Sequence, residues 1–333
     1  MTILGIDTSC DDTSVAIVDD GTTVRASLLS SQVDVHALYD GVVPELAARK
    51  HLEAIMLLID GALKTANVRL DDIDAIAVTN RPGLIGSLLV GVGAAKALAF
   101  TLKKPLIPIN HISAHIYSVH LSHTLAFPYI ALVVSGGHTL ICEVTDHDIY
   151  AVIGTTIDDA VGEAYDKIAK FYKLGFPGGP IVDKLAALGD ENAIAYPRPK
   201  VAGKHRFDFS YSGLKTAVVY QTEQFLREGK TATMENICAS FQKSAVGVLY
   251  DKVTAYARES GIRTVGISGG VAANSYLRKL FSESREISAH LPERKYTTDN
   301  AAMVAGLGYH LAGRAAYDDH NIPCASRVIE KRR

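Results

Sequence analysis

Two imidazoles stand four residues apart in the segment His111-Ile112-Ser113-Ala114-His115. At helical spacing they share one face and can ligate a single metal ion. The alternative is a chance pair of histidines, so a third donor is needed. A carboxylate would complete a set of two His and one acid, which suits Fe(II) or Zn. Asp299, just ahead of a helical pattern in Thr297-Thr298-Asp299-Asn300, is a candidate. Helix capping is the plainer use of an Asp there. A zinc protease would need Glu directly after the first His, as its general base. That position is Ile112.

Two further constellations suit phosphate. SGGHT (135–139) and SGGVAAN (268–274) each place a Gly pair straight after an apolar strand pattern. Glycine lets the backbone approach a ligand closely, and successive N–H groups there form an anion-binding concavity. A helix starting after Asn274 adds positive dipole character. One such pair reads as a tight turn. Two at corresponding points of the chain, with PGGP at 177–180 as a third, point to phosphate binding. Asp7, Asp11 and Asp12 in the first polar turn suit a metal–phosphate or hydroxyl contact, with turn or cap residues as the alternative. No sequence feature identifies a general base; Asp11 and Asp12 are candidates for a catalytic role beside a metal. A helix is expected over 157–174. On it Asp159, Glu163 and Asp166 follow i, i+4, i+7 spacing and share one face. That face is solvated, or Asp166 reads ribose hydroxyls; Asp183, just after PGGP, suits the same role.

Arg198, Lys200, Lys204 and Arg206 precede Phe207, Phe209 and Tyr211, and the run continues to Lys215. Basic groups interleaved with aromatics can hold a nucleic-acid backbone and stack a base. An exposed loop beside a core strand fits equally.

These residues need a frame. At about 150 residues per domain, 333 residues make about two domains. Ile3–Asp7, a polar turn and Val15–Val18 read as strand, turn, strand; Tyr129–Val134, SGGHT and Leu140–Val144 repeat the device about 125 residues later. Asp74–Thr79, RPGLIG and Ser87–Leu102 read as strand, Gly-rich turn, helix, and Thr264–Ile267, SGGVAAN and Ser275–Phe281 repeat that. Helical periodicity also marks 44–66, 234–260 and 300–312. Alternating strands and helices imply α/β layers. Two similar halves imply duplicated α/β domains facing a cleft. The boundary falls near 124–128, giving an N-terminal lobe at 1–125 and a C-terminal lobe at 126–300. A helix near 300–315 is expected to pack back on the first lobe, with a tail at 313–333.

Composition excludes some classes. Apolar residues make up 48% and charged residues 21%, which is not the balance of a disordered chain, a collagen or a coiled coil. A net charge of −2 argues against a globally basic nucleic-acid binder and leaves room for a local patch. The four cysteines, Cys10, Cys142, Cys238 and Cys324, form no CxxC, which fits a reducing compartment without disulfides. The start, MTILGIDTSC, lacks the basic region of a signal peptide. Pro105–Cys142 carries no Asp, Glu, Lys or Arg, yet five histidines, three prolines and polar turns interrupt it. It reads as buried interior plus a site, not a membrane span. A cytoplasmic location with no membrane partner is expected.

GIDTSCDDTS, DGVVPELAARKH, RPGLIGSLLVG, NHISAH, LVVSGGHT, GEAYDKIAK, PGGP, FDFSYSGLK, SGGVAAN and TDNAAM occur in this order over positions 5–303. Together they resemble the tRNA N6-adenosine threonylcarbamoyltransferase family, formerly the O-sialoglycoprotein endopeptidase family. The resemblance implies a duplicated actin/hexokinase/heat-shock-chaperone-like ATPase fold, two lobes around a central cleft. It implies transfer of threonylcarbamoyl from threonylcarbamoyl-adenylate to N6 of adenosine 37 in tRNAs reading ANN codons. It assigns His111, His115 and Asp299 to one divalent metal, Fe(II) in the first place and otherwise Zn. It assigns Val133, Val134, Ser135, Gly136, Gly137, Asp166, Gly179, Asp183 and Asn274 to the adenylate donor. It implies helper proteins: an inactive paralogue of the same fold and a small ATPase. The apolar stretch 86–102 would suit a dimer surface, or buried core.

The chain departs from the family at four points. Asn110 stands where His is frequent, Ser113 where an acid is frequent, Asp12 where Glu is frequent, and Arg81 replaces the first Gly of a Gly-Pro-Gly turn. The competing expectation is a small-molecule phosphotransferase or ATPase of the same fold, which would leave His111, His115 and Asp299 without a task.

Overall fold

The computed structural model describes residues 1–39, 41–227, 232–313 and 322–327, without the side chains of residues 204, 225 and 226. The described residues form two compact units: those of 1–124 with 146–149 and 292–327, and those of 125–145 with 150–291.

The first unit opens with strands β1 (Thr2–Asp7), β2 (Asp12–Asp19) and β3 (Thr23–Ser31), then helices α1 (Val33–Ala37) and α2 (Pro44–Ala66). Strand β4 (Ala75–Arg81), helix α3 (Ile85–Leu102), strand β5 (Leu106–Asn110) and helix α4 (His111–Tyr117) follow. The second unit holds β6 (Tyr129–Val134), β7 (Thr139–Asp146), β8 (Ile149–Thr155), α5 (Val161–Phe171), α6 (Gly178–Ala186), α7 (Ser212–Arg227), α8 (Met234–Ser260), β9 (Thr264–Ser268), α9 (Ser275–Ser282) and β10 (Ser288–His290). Helix α10 (Ala301–Leu311) belongs to the first unit.

The two sheets run β3-β2-β1-β4-β5 and, in the same sense, β8-β7-β6-β9-β10. In each, the first strand is antiparallel to the second and parallel to a later one: β1 to β2 and β4, β6 to β7 and β9. This is the duplicated α/β fold expected from the repeated motifs.

In the first sheet, alternation sends Ile3, Ala75, Ala77, Ile107 and Ile109 to the side of α10, and Leu4, Ile6, Ile76 and Val78 to the side of α2 and α3. Gly5 permits α10 to lie this close: a Cβ there would sit 2.4 Å from the carbonyl oxygen of Ala301. Helix α2 begins at a Pro and ends on Asn67 in the left-handed conformation, as its sequence suggests. Helix α3 is, among the described residues, the one helix long and apolar enough to cross a membrane by length and composition. One side of it packs on the sheet through Leu88, Val92, Ala95 and Ala99, while Ile85, Leu89 and Phe100 are exposed.

Three expectations need correction or completion. Helix α5 starts at Val161, not at 157, so Asp158 and Asp159 lie outside it and do not share its face. Tertiary bonds outweigh the helical pattern here: Asp158 accepts from Tyr211 N at 2.7 Å and from Ser212 Oγ at 2.8 Å, and Ile157 N donates to Phe209 O. Phe209 and Tyr211 are fully buried and Phe207 nearly so, which makes them core of the second unit and not stacking platforms. Beyond α10, residues 322–325 return to the first unit. Ile322 joins its core, and Asn80 Nδ2 donates to Pro323 O at 2.9 Å. The rest of the expected tail, 314–321 and 328–333, lies outside the described residues.

Candidate metal centre

Strands β1, β4 and β5 are parallel, and their C-terminal ends form one edge. In open α/β sheets ligands gather at such an edge. Asp7 is the last residue of β1, and His111 directly follows β5. Asn110 caps α4, its side-chain oxygen accepting from Ile112 N at 2.8 Å. This cap fixes the first turn of α4 and aims His111. All seven residues of α4 are buried, and His115 lies one turn after His111.

The third donor arrives with α10. Its cap is Asn300, whose side chain accepts from Met303 N at 3.0 Å. Asp299 is therefore not spent on capping. His115 Nε2 lies 3.1 Å and His111 Nε2 3.6 Å from the same oxygen, Asp299 Oδ1. The three donors lie within 4.8 Å of one another. Donors bound at about 2.1 Å to one tetrahedral ion sit about 3.4 Å apart, which the two distances to Asp299 Oδ1 match. The chemistry fits too: two buried imidazoles and a half-buried carboxylate are a donor set that suits Fe(II) or Zn(II). His115 Nδ1 is buried with no hydrogen-bond partner, so that ring's polar contact rests on Nε2.

Charge dominates the centre. Burial works against a charged His111, but Asp299 and then Asp7 outweigh it and hold its pKa up to about 9. Asp12 is pushed up to about 6, first by burial and then by Asp11, Asp299 and Asp7, against a bond from Ser31 that lowers it. Its Oδ1 is buried without a hydrogen-bond partner.

The second unit carries the glycine-rich turns. Val133 and Val134 are buried in β6, so only their backbone can meet a ligand. Ser135 Oγ accepts from His138 N at 3.1 Å, which shapes the turn. A Cβ at Gly136, Gly137 or Gly179 would meet nothing within 4 Å. Asp166 Oδ1 accepts from Gly178 N at 2.7 Å, tying α5 to α6. Asp183 accepts from Ser275 N at 3.0 Å and from Ser275 Oγ at 2.8 Å. Asn274 caps α9 through Leu277 N and donates to Gln242 at 2.8 Å.

The family model for tRNA N6-adenosine threonylcarbamoyltransferase matches residues 23–306. A protein of that name from Brachyspira hyodysenteriae is 62% identical over 332 residues, covering 100% of this chain and 98% of its own. One from Treponema denticola is 47% identical, over 98% of this chain and 97% of its own. The chain belongs to the tRNA N6-adenosine threonylcarbamoyltransferase family. Among solved structures, phosphate- and nucleotide-bound HypF aligns at TM-score 0.62 and 16% identity, covering 95% of this chain and 56% of that one. Component A of the (R)-2-hydroxyglutaryl-CoA dehydratase of Acidaminococcus fermentans aligns at TM-score 0.57 and 16% identity, over 94% and 100%. These two likenesses bear on the fold alone.

Within this transferase family, Arg81 is tolerated for a local reason. It is exposed and has no left-handed backbone, so the first position of that turn does not require Gly. The expected basic patch is partly self-neutralised. Arg198 pairs with Asp251 at 2.9 Å, and Arg206 pairs with Glu259 at 2.6 Å. The side chain of Lys204 lies outside the described residues. The four cysteines are free.

Sequence reasoning did not assign Asp7 to His111. Their contact spans 104 residues, and nothing in the local sequence signals it. It also missed a second imidazole cluster, His120, His147 and His310 around Tyr117. The only hint was the density of histidines between 111 and 147.

Proposed function

We propose that this chain transfers the threonylcarbamoyl group from threonylcarbamoyl-adenylate to N6 of adenosine 37 in tRNAs reading ANN codons. The reading rests on one observation above all: in a member of this transferase family, His111, His115 and Asp299 converge on one point. The product is N6-threonylcarbamoyladenosine. A bond forms between the carbamoyl carbon and N6, the bond from that carbon to the phosphate oxygen breaks, and AMP leaves with the electron pair. N6 gives up one proton.

His111, His115 and Asp299 hold a divalent ion, Fe(II) in the first place and Zn(II) otherwise. Such an ion would supply Lewis acidity toward the carbamoyl group. Asp7 fixes the His111 ring through Nδ1. Asp12, with a carboxyl held up to about 6 and a buried unpartnered oxygen, is the better base for the N6 proton; Asp11 is its neighbour and alternative. Backbone N–H groups at Ser135, Gly136 and Gly137 take the phosphate of the donor, for which the open space beside both glycines is support. Asp166 and Asp183 serve the ribose hydroxyls, and Val133, Val134, Gly179 and Asn274 complete the adenylate-binding set.

tRNA is the macromolecular substrate. With 34 basic against 36 acidic residues, the chain holds tRNA weakly alone. Helper proteins supply the rest: an inactive paralogue of the same fold and a small ATPase. Leu52, Met56 and Leu57 on α2, and Ile85, Leu89 and Phe100 on α3, are exposed and suit the paralogue. The free cysteines and the tRNA substrate suit the cytoplasm.

The test is nucleoside mass analysis of tRNA from cells depleted of this protein, rescued with wild type or His111→Ala. Loss of N6-threonylcarbamoyladenosine, restored by wild type only, is the expected result. A normal level after depletion overturns the reading and favours the phosphotransferase.

A further inference from the structure

The loop Thr8–Cys10 leads from β1 to Asp11 and Asp12, and helices α2 and α3 grip it at each residue. Thr8 Oγ1 donates to Ser87 O at 2.8 Å. Ser9 O accepts from Leu84 N at 2.8 Å. Cys10 O accepts from His51 Nε2 at 3.0 Å and from Ser87 Oγ at 3.2 Å.

The His51 contact has a fixed polarity. A carbonyl only accepts, so Nε2 carries the proton and Nδ1 is an acceptor. Thr13 Oγ1 fills Nδ1 at 2.8 Å, with Gln32 Nε2 at 3.4 Å. Gln32 Nε2 also donates to Ala47 O at 3.3 Å, which orients the amide. Its Oε1 then accepts from His36 Nε2 at 3.1 Å, and His36 Nδ1 accepts from Val43 N at 3.3 Å. Hydrogen-bond donation thus runs one way, from Val43 through His36, Gln32 and His51 to Cys10. His36 and His51 are fully buried and Gln32 almost so. Both rings are neutral in this chain, and burial lowers the pKa of His51 accordingly.

The placement is costly. On α2 the buried stripe reads Ala47, His51, Ile55, Ile59, Ala62, Ala66, so one imidazole interrupts an apolar face. A buried polar group costs free energy unless it is bonded, and an aliphatic side chain would pack there without that burden. What the imidazole gains is a hold on the Cys10 carbonyl. Asp12, two residues on, opens β2, which pairs Ser14 with Asp7, the partner of His111.

We propose that His51 is a positioning residue for the transfer reaction, fixing the Cys10 carbonyl and so the place of Asp11 and Asp12 beside the metal ligands, with Gln32 and His36 setting its tautomer. This rests on the transferase reading, although the loop itself can be observed without it. His51→Leu and His51→Gln are the informative pair. A Gln amide can donate to Cys10 O while its oxygen accepts from Thr13.

Each variant is assayed with donor, tRNA and helper proteins, alongside metal content and backbone amide exchange over residues 9–13. His51→Leu is expected to lower kcat by about tenfold to a hundredfold, with KM for tRNA and metal content unchanged and exchange in the loop faster. His51→Gln is expected to restore most of both. Wild-type kcat and wild-type exchange in His51→Leu overturn the proposal, and so does an equal loss in both variants. Should His51→Leu not fold, Gln32→Met, which removes only the tautomer-setting amide, must show the same kcat loss at smaller size; wild-type behaviour there overturns it. If wild type itself transfers nothing, the transferase reading fails, while loop exchange still decides the positioning role.

Discussion

His111 Nδ1 lies 3.2 Å from Asp7 Oδ2, and that contact decides which ring nitrogen is left for a metal. The carboxylate is 1% exposed and accepts a hydrogen bond from Nδ1–H, so Nε2 turns toward Asp299. A carboxylate bonded to the far nitrogen of a ligand imidazole fixes the ring's orientation and raises its basicity. Asp7→Asn keeps the shape and removes the charge. It is expected to weaken metal binding by about 10- to 100-fold, read by chelator competition. Unchanged affinity would show that Asp7 serves only Ser9 N, its other partner at 2.9 Å.

The proposed metal ligands should fail together. His115→Ala and Asp299→Ala are each expected to lose metal and transfer in parallel. Stripping the wild type with a chelator should abolish transfer, and adding back Fe(II) or Zn(II) should restore it. Full transfer by a chelated, metal-free sample would remove the metal from the mechanism.

Much of this was legible in the sequence, and the failures share a cause. Pro44–Ala66 and Met234–Ser260 could be read residue by residue because periodicity and caps are local properties. His111 and His115 could be paired because a helix brings i and i+4 together. The start of α5 is not legible locally because Asp158 is held by Ser210 and Ser212, more than 50 residues away. Phe209 and Tyr211 looked available because a basic run precedes them, yet only the fold shows them inside. His51 carried a signal that went unused: a polar residue on the buried stripe of α2.

Gly5 should matter to the metal centre although it touches no ligand. A Cβ there would sit 2.4 Å from Ala301 O, two residues after Asp299. Helix α10 must then shift away from β1. Gly5→Ala is expected to cost about 1–3 kcal/mol of stability, as overpacking does, and to weaken metal binding with it. A lowered Tm with unchanged metal affinity would separate the packing from the site.

The imidazole cluster predicts an acid limit to stability. His120 is buried, and burial, with His147 and His310 beside it, pushes its pKa down to about 4. Tyr117 also faces it, and Tyr117 OH lies 3.1 Å from His310 Nε2. The unfolded chain takes up this proton near pH 6.5 and the folded chain only near 4, so protons favour unfolding across that window. The stabilisation is present above about pH 6.5 and lost as pH falls toward 4, amounting to about 3 kcal/mol at most. Urea titrations from pH 7 to 4 should show this fall, and His120→Gln should flatten it. An equal pH dependence in both proteins would move the effect to other groups.

The exposed apolar residues of α2 and α3 predict a partner that covers them. Leu89 is 57% and Phe100 75% exposed on a helix whose opposite side packs on the sheet. Leu52 and Met56 continue the exposed apolar surface on α2, which lies against α3. A charge placed here meets water in the free chain and costs little, but it would be buried in a complex and costs several kcal/mol there. Leu89→Glu is therefore expected to keep the Tm and metal content of the wild type, to lose association with the proposed partner, a paralogue of the same fold, in sedimentation, and to lose transfer in the reconstituted system. Wild-type association by Leu89→Glu together with Met56→Glu would place the helper elsewhere and leave these residues as ordinary exposed apolar surface.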